Sequence, residues 1–133
     1  MGLFPGKRPN DLGVRNGRLK PPPSSPNAVH SQVTEGYHAI APLRYQGTRE
    51  AAMRTLAGIV RETPRVDTVT QTGEYLYAEY QTALLGFVDD VEFWFPPADG
   101  IIHVRSASRL GSSDFGANRK RIEAIRARLA AAA

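Results

Sequence analysis

The chain has 133 residues, 41% of them hydrophobic, and 17 basic against 13 acidic side chains give it a formal net charge of +4. That length is one domain's worth, enough for one ordinary core, since folding at this size hides roughly two-thirds of the unfolded surface. The absence of cysteine excludes disulfides, thiolate nucleophiles and thiolate metal sites, and no apolar run approaches the roughly 18 residues of a spanning helix.

Met1–Leu12 lacks the apolar stretch of a secretory signal, and Gly6 stands where a myristoylation motif needs Ser or Thr, so a cytoplasmic location is expected. The first 35 residues hold six of the ten prolines and little periodicity; residues 1–36 therefore read as an extended arm, and 37–133 as a single α+β domain. Pro21-Pro22-Pro23 favours polyproline II, and Ser24-Ser25-Pro26-Asn27 favours a turn. Leu12, Val14, Leu19 and Val29 are spaced too widely for a core element but can pin the arm across the domain. Tyr37–Leu43 alternates weakly and predicts a short strand, which Pro42 places at a sheet edge. Thr48 is a cap for a helix with Ala52, Leu56, Ile59 and Val60 at helical spacing, ending at Pro64. Val66–Thr70, Glu74–Thr82, Phe87–Phe95 and Ile101–Ser108 read as strands, the last two joined by a hairpin loop over Pro96-Pro97-Ala98-Asp99-Gly100. A second helix starts near Asp114 as N-cap and carries Phe115, Ile122, Ile125 and Leu129 on one stripe, with Asn118 on that stripe too.

Four consecutive strands with short connections predict an antiparallel sheet of four to five strands, and two amphipathic helices suffice to cover one face. The expected fold is α+β in two layers. Leu76, Ala78, Tyr80, Phe87, Val91, Phe93, Phe95, Ile102 and Val104 would face the helices. Their alternates, Tyr75, Tyr77, Glu79, Asp90, Glu92, Trp94, His103 and Arg105, would make an open face, either a binding platform or a set of cross-strand pairs such as Arg105 with Glu92 or Asp90. Asp89 falls on the core side and needs a partner, with Arg109, Ser106 and Ser108 as candidates. A buried Asn118 should be hydrogen-bonded, most simply to the preceding loop.

Residues 105–121 pack five cations, four serines and two glycines between a strand and a helix, the composition of an anion site. The candidate ligand-binding residues are Arg105, Ser106, Ser108, Arg109, Ser112, Ser113, Asn118 and Arg119, beside a polar cluster of Asp89, Asp90, Glu92 and Asp114. Residues 105–128 hold seven cations against Asp114 and Glu123. Such a patch suits an anionic ligand, a lipid surface or a solvated helix face. Nucleic acid is disfavoured, because Glu79, Asp90 and Glu92 among the aromatics would repel phosphate. His30, His38 and His103 lack ligand spacing and no nucleophile elbow or Walker loop occurs, so no catalytic residue, metal or cofactor is assigned. Within the motif, Ser106 and Ser108 are expected to face Asp89, Asp114 to cap the helix and Asn118 to tie the loop. That leaves Arg105, Arg109, Arg119 and the Gly111–Ser113 turn facing outward.

Arg8-Pro9-Asn10-Asp11-Leu12-Gly13, Ser24-Ser25-Pro26-Asn27 with Ser31-Gln32, Val88-Asp89-Asp90-Val91-Glu92-Phe93, and Val104 to Gly111 followed by Ser113 to Gly116 and Asn118 to Glu123 form a set of motifs. Together they resemble the bacterial and plastid family called domain of unknown function 1499. The similarity spans residues 8–128. It implies no activity, but it does imply that Asp89, Asp90, Glu92, Arg105, Ser106, Ser108, Arg109, Ser113, Asp114, Asn118 and Arg119 form the family's characteristic surface. Pro22 and Ala28 stand where many members have cysteines, and His30 where Ser is usual. Many relatives also carry a membrane or export segment ahead of the domain.

Three functions are compatible with these residues. One is a binding module for a small anionic or lipid-like, amphipathic ligand between the Ser/Arg-rich loop and the sheet face. A second is a structural or assembly subunit docking on a protein partner through residues 7–32. The third is a hydrolase or transferase in which Asp89, Asp90, Glu92 or Asp114 collects a metal or acts as base beside Arg105 and Arg109.

Overall fold

In the computed structural model, residues 5–83, 86–97 and 100–132 are described. The element order is β1 (Val14–Arg15), β2 (Arg18–Leu19), β3 (Ala28–His30), β4 (Leu43–Arg44), α1 (Arg49–Glu62), β5 (Val66–Gln71), β6 (Tyr75–Gln81), β7 (Val88–Trp94), β8 (Ile101–Ser108) and α2 (Ala117–Ala131). The expected α+β fold is present, and its frame is the antiparallel meander β5-β6-β7-β8. Two short strands share the outer side of β8, β3 along Arg105–Ala107 and β4 along Ile101–Ile102, so the main sheet is five strands wide along its length. Of the loop between β7 and β8, Ala98 and Asp99 lie outside the described residues.

Helix α1 forms as its sequence dictates. The Thr48 hydroxyl accepts from the Ala51 N–H at 3.1 Å, and the chain leaves the helix at Thr63, just before Pro64. Its apolar stripe packs with Ile122, Ile125 and Leu129 of α2 onto Leu76, Ala78, Tyr80, Val91, Phe93, Ile102 and Val104, one face of the sheet. Phe87 lies one residue ahead of β7, half-buried.

Three local expectations are corrected. Tyr37–Leu43 is not a strand: only a single bridge from His30 to Ala39 and the pair Leu43–Arg44 form, since Gly36 and Pro42 break the run. Helix α2 begins at Ala117, its N-cap being Gly116 in the left-handed region (φ 81) with no side-chain cap. Phe115 therefore lies outside the helix and is 90% exposed instead of joining the core stripe.

The arm holds the largest departure. Asn16 and Gly17 both have positive φ, 53 and 73, and close a tight hairpin between β1 and β2. Asn-Gly is the sequence signal of a type I′ turn, which was there to be read. Leu19 is buried, and the segment from Pro5 to Lys20 lies across the sheet face opposite the helices. The molecule thus has three layers: helices, sheet and arm.

Candidate functional site

The face expected to be open is closed. Tyr77, Glu79, Asp90, Glu92 and Arg105 are all at most 5% exposed, although each points away from the helices. Four carboxylate and guanidinium groups of the sheet thereby sit beneath the arm, and burial of charge at this density requires pairing. Arg109 supplies much of it from just beyond the end of β8. Its guanidinium grips Asp90 through Nε at 2.9 Å and Nη2 at 2.8 Å, contacts Glu79, and donates to the Pro5 carbonyl at 3.3 Å. Arg8 comes down from the arm onto Glu79, Nη2 to Oε1 at 2.9 Å, and the Tyr77 hydroxyl sits between Glu79 and Asp90. The Arg8 hydrogen bond foremost, with those from Tyr77 and Arg109, holds the Glu79 carboxyl down at about 2. Burial, together with the neighbouring Asp90, pushes the Tyr77 hydroxyl up.

The other half of the layer is looser. Arg105 reaches Glu92 only at 4.0 Å and spends its Nε on the Lys20 carbonyl at 2.9 Å. Glu92 Oε2 accepts from Tyr75 Oη and from the Gly13 N–H at 2.7 Å, while Oε1 is buried without a hydrogen bond. Burial raises the Glu92 carboxyl and lowers the Arg105 guanidinium. A 4.0 Å pair in this position is too distant to offset the loss of water around both ions.

A second polar cluster lies where β8 ends and α2 begins. Its hub is Asn118, fully buried. Oδ1 accepts from the Ser106 hydroxyl at 2.6 Å, and Nδ2 reaches Ser108 Oγ at 3.0 Å, Asp114 Oδ2 at 2.9 Å and the Asn27 carbonyl at 3.2 Å. Asn118 thus ties the arm as well as the loop. The Asn27 amide in turn donates to the Gly111 carbonyl at 2.9 Å, and the Asp114 N–H donates to the Pro26 carbonyl at 3.2 Å. Asp114 serves the helix start from two residues outside its formal cap, accepting from the Gly116 and Asn118 N–H groups at 2.9 and 3.3 Å. Asp89 is buried as expected but its partner is Arg121, at 2.8 Å, rather than Arg109 or a serine. Arg121 also donates to Ser106 Oγ and Asn118 Oδ1 and lies over the Tyr80 ring at 4.7 Å.

The motif that reads as one outward anion site is therefore divided. Arg105 and Arg109 turn inward, their side chains 5% and 4% exposed, because the three buried carboxylates on that face, Glu79, Asp90 and Glu92, require cationic partners. Ser106, Ser108 and Asn118 belong to the clasp on Asn27. Arg119 caps the Tyr37 and Ala39 carbonyls, and only Ser112 and Ser113 stand in an exposed turn. Among the described residues no group of three His, Cys, Asp or Glu side chains is placed to hold a metal, and no helix is long and apolar enough to cross a membrane.

One cleft opens into this arrangement. It encloses about 490 Å³ between the arm and the end of β8, with Lys7, Lys20, Arg105 and Arg109 as its cations, Asp11 and Asp90 as its acids, and Pro21–Pro23 as an apolar wall. Lys20 pairs with Asp11 at 2.9 Å, both partly exposed, while Lys7 meets no carboxylate among the described residues. Lys7, Lys20 and Asp11 were missed by sequence reasoning, which gave the arm no part in the site. The signal was Lys20 immediately before a triproline, a cation on a stiff backbone. No curated protein and no solved structure matches this chain. Residues 18–129, most of the molecule, match the model of a family described as "Protein of unknown function (DUF1499)", and the chain belongs to that family.

Proposed function

We propose that the protein is a binding module for a small anion, which enters the cleft between the arm and β8. The observation that carries this reading is the cation set at the mouth: an exposed Lys7 that meets no carboxylate among the described residues and a Lys20 whose single ion-pair partner among them is the partly exposed Asp11. A surface ion pair of that kind contributes little, about 0–1 kcal/mol, so an incoming anion displaces it at small cost. Arg105 and Arg109 lie behind the mouth, fixed by their own carboxylate partners and unable to follow the ligand. Pro21–Pro23 offer the carbon skeleton of an organic anion an apolar wall that loses no rotamer freedom on contact. Asp89, Asp90 and Glu92 act as structural counter-charge in this reading, and Asp114 holds the start of α2.

The test is titration calorimetry with inorganic phosphate and with small organic carboxylates, on the native chain and on the Lys7→Ala, Lys20→Ala double variant. Both lysines are surface groups, so the variant keeps the fold. Binding should weaken about tenfold or more on their removal, the size of one or two lost charge-assisted hydrogen bonds. Equal affinity in the two proteins would move the ligand elsewhere, and no heat with any anion would end the proposal.

A further inference from the structure

Four large apolar side chains are exposed among the described residues, and three of them belong to one corner: Tyr37 at 41%, Leu110 at 43% and Phe115 at 90%. Tyr37 joins the corner through its hydroxyl, which donates to Asp114 Oδ1 at 2.6 Å. Leu110 and Phe115 bracket the turn that carries Ser112 and Ser113. Isolated exposed apolar groups need no explanation, but a cluster of three does.

Phe115 is also held in an unfavourable backbone state, with φ at +50. A bulky aromatic there costs on the order of 1 kcal/mol over its normal regions and persists only when its surroundings force it. They do so here on both sides. Phe115 N–H donates to Ser113 Oγ at 3.3 Å, the next N–H is fixed by Asp114 Oδ1 at 2.9 Å, and the Asp114 N–H is anchored to the arm. The clasp described above therefore pins a phenyl ring into water at a strained position. No benefit to the fold is visible in that, because the ring buries almost nothing.

The charge around the ring says what it meets. Arg119 gives its guanidinium to backbone carbonyls and lies over the Tyr37 ring at 5.8 Å, and no carboxylate among the described residues neutralises its charge. Lys120 is exposed one residue on, and Lys7 follows Gly6, which lies against Leu110. Asp114, the nearest acid, keeps its charge, since Tyr37, Asn118 and the Gly116 N–H are neutral donors, and it stands alone against Lys7, Arg119 and Lys120. Aromatic and aliphatic tips ringed by an excess of cations match the boundary of an anionic bilayer, where rings sit among headgroups and lysines meet phosphate.

We propose that the Leu110–Gly116 loop docks the protein on an anionic lipid surface, with Phe115 and Leu110 entering the interface while Lys7, Arg119 and Lys120 contact headgroups. This surface shares Lys7 with the rim of the anion cleft, but Phe115 and Leu110 lie outside the cleft lining, so Phe115→Ser tests the loop without touching that site. Co-sedimentation with phosphatidylcholine vesicles containing about a quarter phosphatidylglycerol should show binding that weakens in high salt and on pure phosphatidylcholine. Phe115→Ser should weaken it about tenfold, the size of one buried aromatic side chain on the transfer scale. Phe115→Asn should lose binding equally and raise the melting temperature, because Asn tolerates the left-handed region. Absence of binding to the anionic vesicles, or equal binding by Phe115→Ser, overturns the proposal. A fall in melting temperature for Phe115→Asn would show that the ring serves the fold instead. Self-association lost in Phe115→Ser would assign the loop to a second copy of the chain. Phosphate binding in the cleft should be the same in native and Phe115→Ser proteins.

Discussion

His30 shows how one residue can set a pH limit on the fold. It is 2% exposed, Nε2 bonds the Lys20 carbonyl at 2.9 Å and Nδ1 accepts from the Gln32 N–H at 3.1 Å. One nitrogen donating and the other accepting is the pattern of neutral imidazole, and a second proton would face the Gln32 N–H. Burial lowers its pKa from 6.5 to about 4. A depressed His is neutral in both states above its unfolded value, so its contribution is intact there and falls away as pH drops from 6.5 towards 4. The loss is up to about 3 kcal/mol at the low end. Urea denaturation at neutral pH and near the lower value should show a smaller difference for His30→Asn than for the native chain; identical differences would show that the imidazole is not the titrating group. A serine at this position would carry no such dependence.

At the scale of elements, the arm and the end of β8 are mutually dependent. Arg109 alone connects Asp90, Glu79 and the Pro5 carbonyl. Its replacement by Met removes the cation and leaves both carboxylates buried, so Arg109→Met should destabilise the protein by about 3–5 kcal/mol in a denaturant titration. A loss below about 1 kcal/mol would mean that water reaches the layer and the burial is only apparent. The sequence made the elements of the domain legible because their causes are local: the Thr48 cap, the apolar stripe of α1, the β-branched and aromatic alternation of β6, β7 and β8. It also placed Ser106, Ser108 and Asn118 correctly on the inner side. Where it failed, the cause was tertiary. Alternation assigns Glu79, Asp90 and Glu92 to a face but says nothing of what lies over that face. Asp89 took Arg121, which α2 carries three residues after the buried Asn118, because alternation along a strand does not say which cation the helix packed on it presents. The arm hairpin was within reach, since Asn16-Gly17 between Val14 and Leu19 is a turn signal that low periodicity obscured.

At the scale of the whole molecule, an ionic layer between arm and sheet makes their association dependent on pH, and the chain carries its own reporter. Trp94, the single tryptophan, is half-buried, stacks on His103 with ring centres 5.9 Å apart, and has Gly17 of the arm hairpin against its ring. Glu79 is held at about 2, well below its ordinary 4.5, by Arg8 first and then Tyr77 and Arg109. A depressed carboxylate stabilises fully above its unfolded value and ceases to do so as pH falls through the folded one, so this contact fails between 4.5 and about 2. Glu92 has the opposite sign. Its raised carboxyl is better accommodated when protonated, so acid relieves that site while it breaks the other. The two effects act on different parts of the arm: Glu92 on Gly13, Glu79 on Arg8. Acidification should therefore lift the arm from the Arg8 end and then loosen the Gly17 hairpin over Trp94, while the helix-covered face of the sheet, held by Phe93, Leu56 and Ile122, keeps its secondary structure. Trp94 emission should shift to the red at a pH where far-ultraviolet dichroism is unchanged. Arg8→Gln should move that emission midpoint upward, towards the ordinary carboxylate range, because Glu79 loses the partner that lowers it most. Coincident loss of emission and dichroism, at the same pH in both proteins, would mean that arm and domain unfold as one unit.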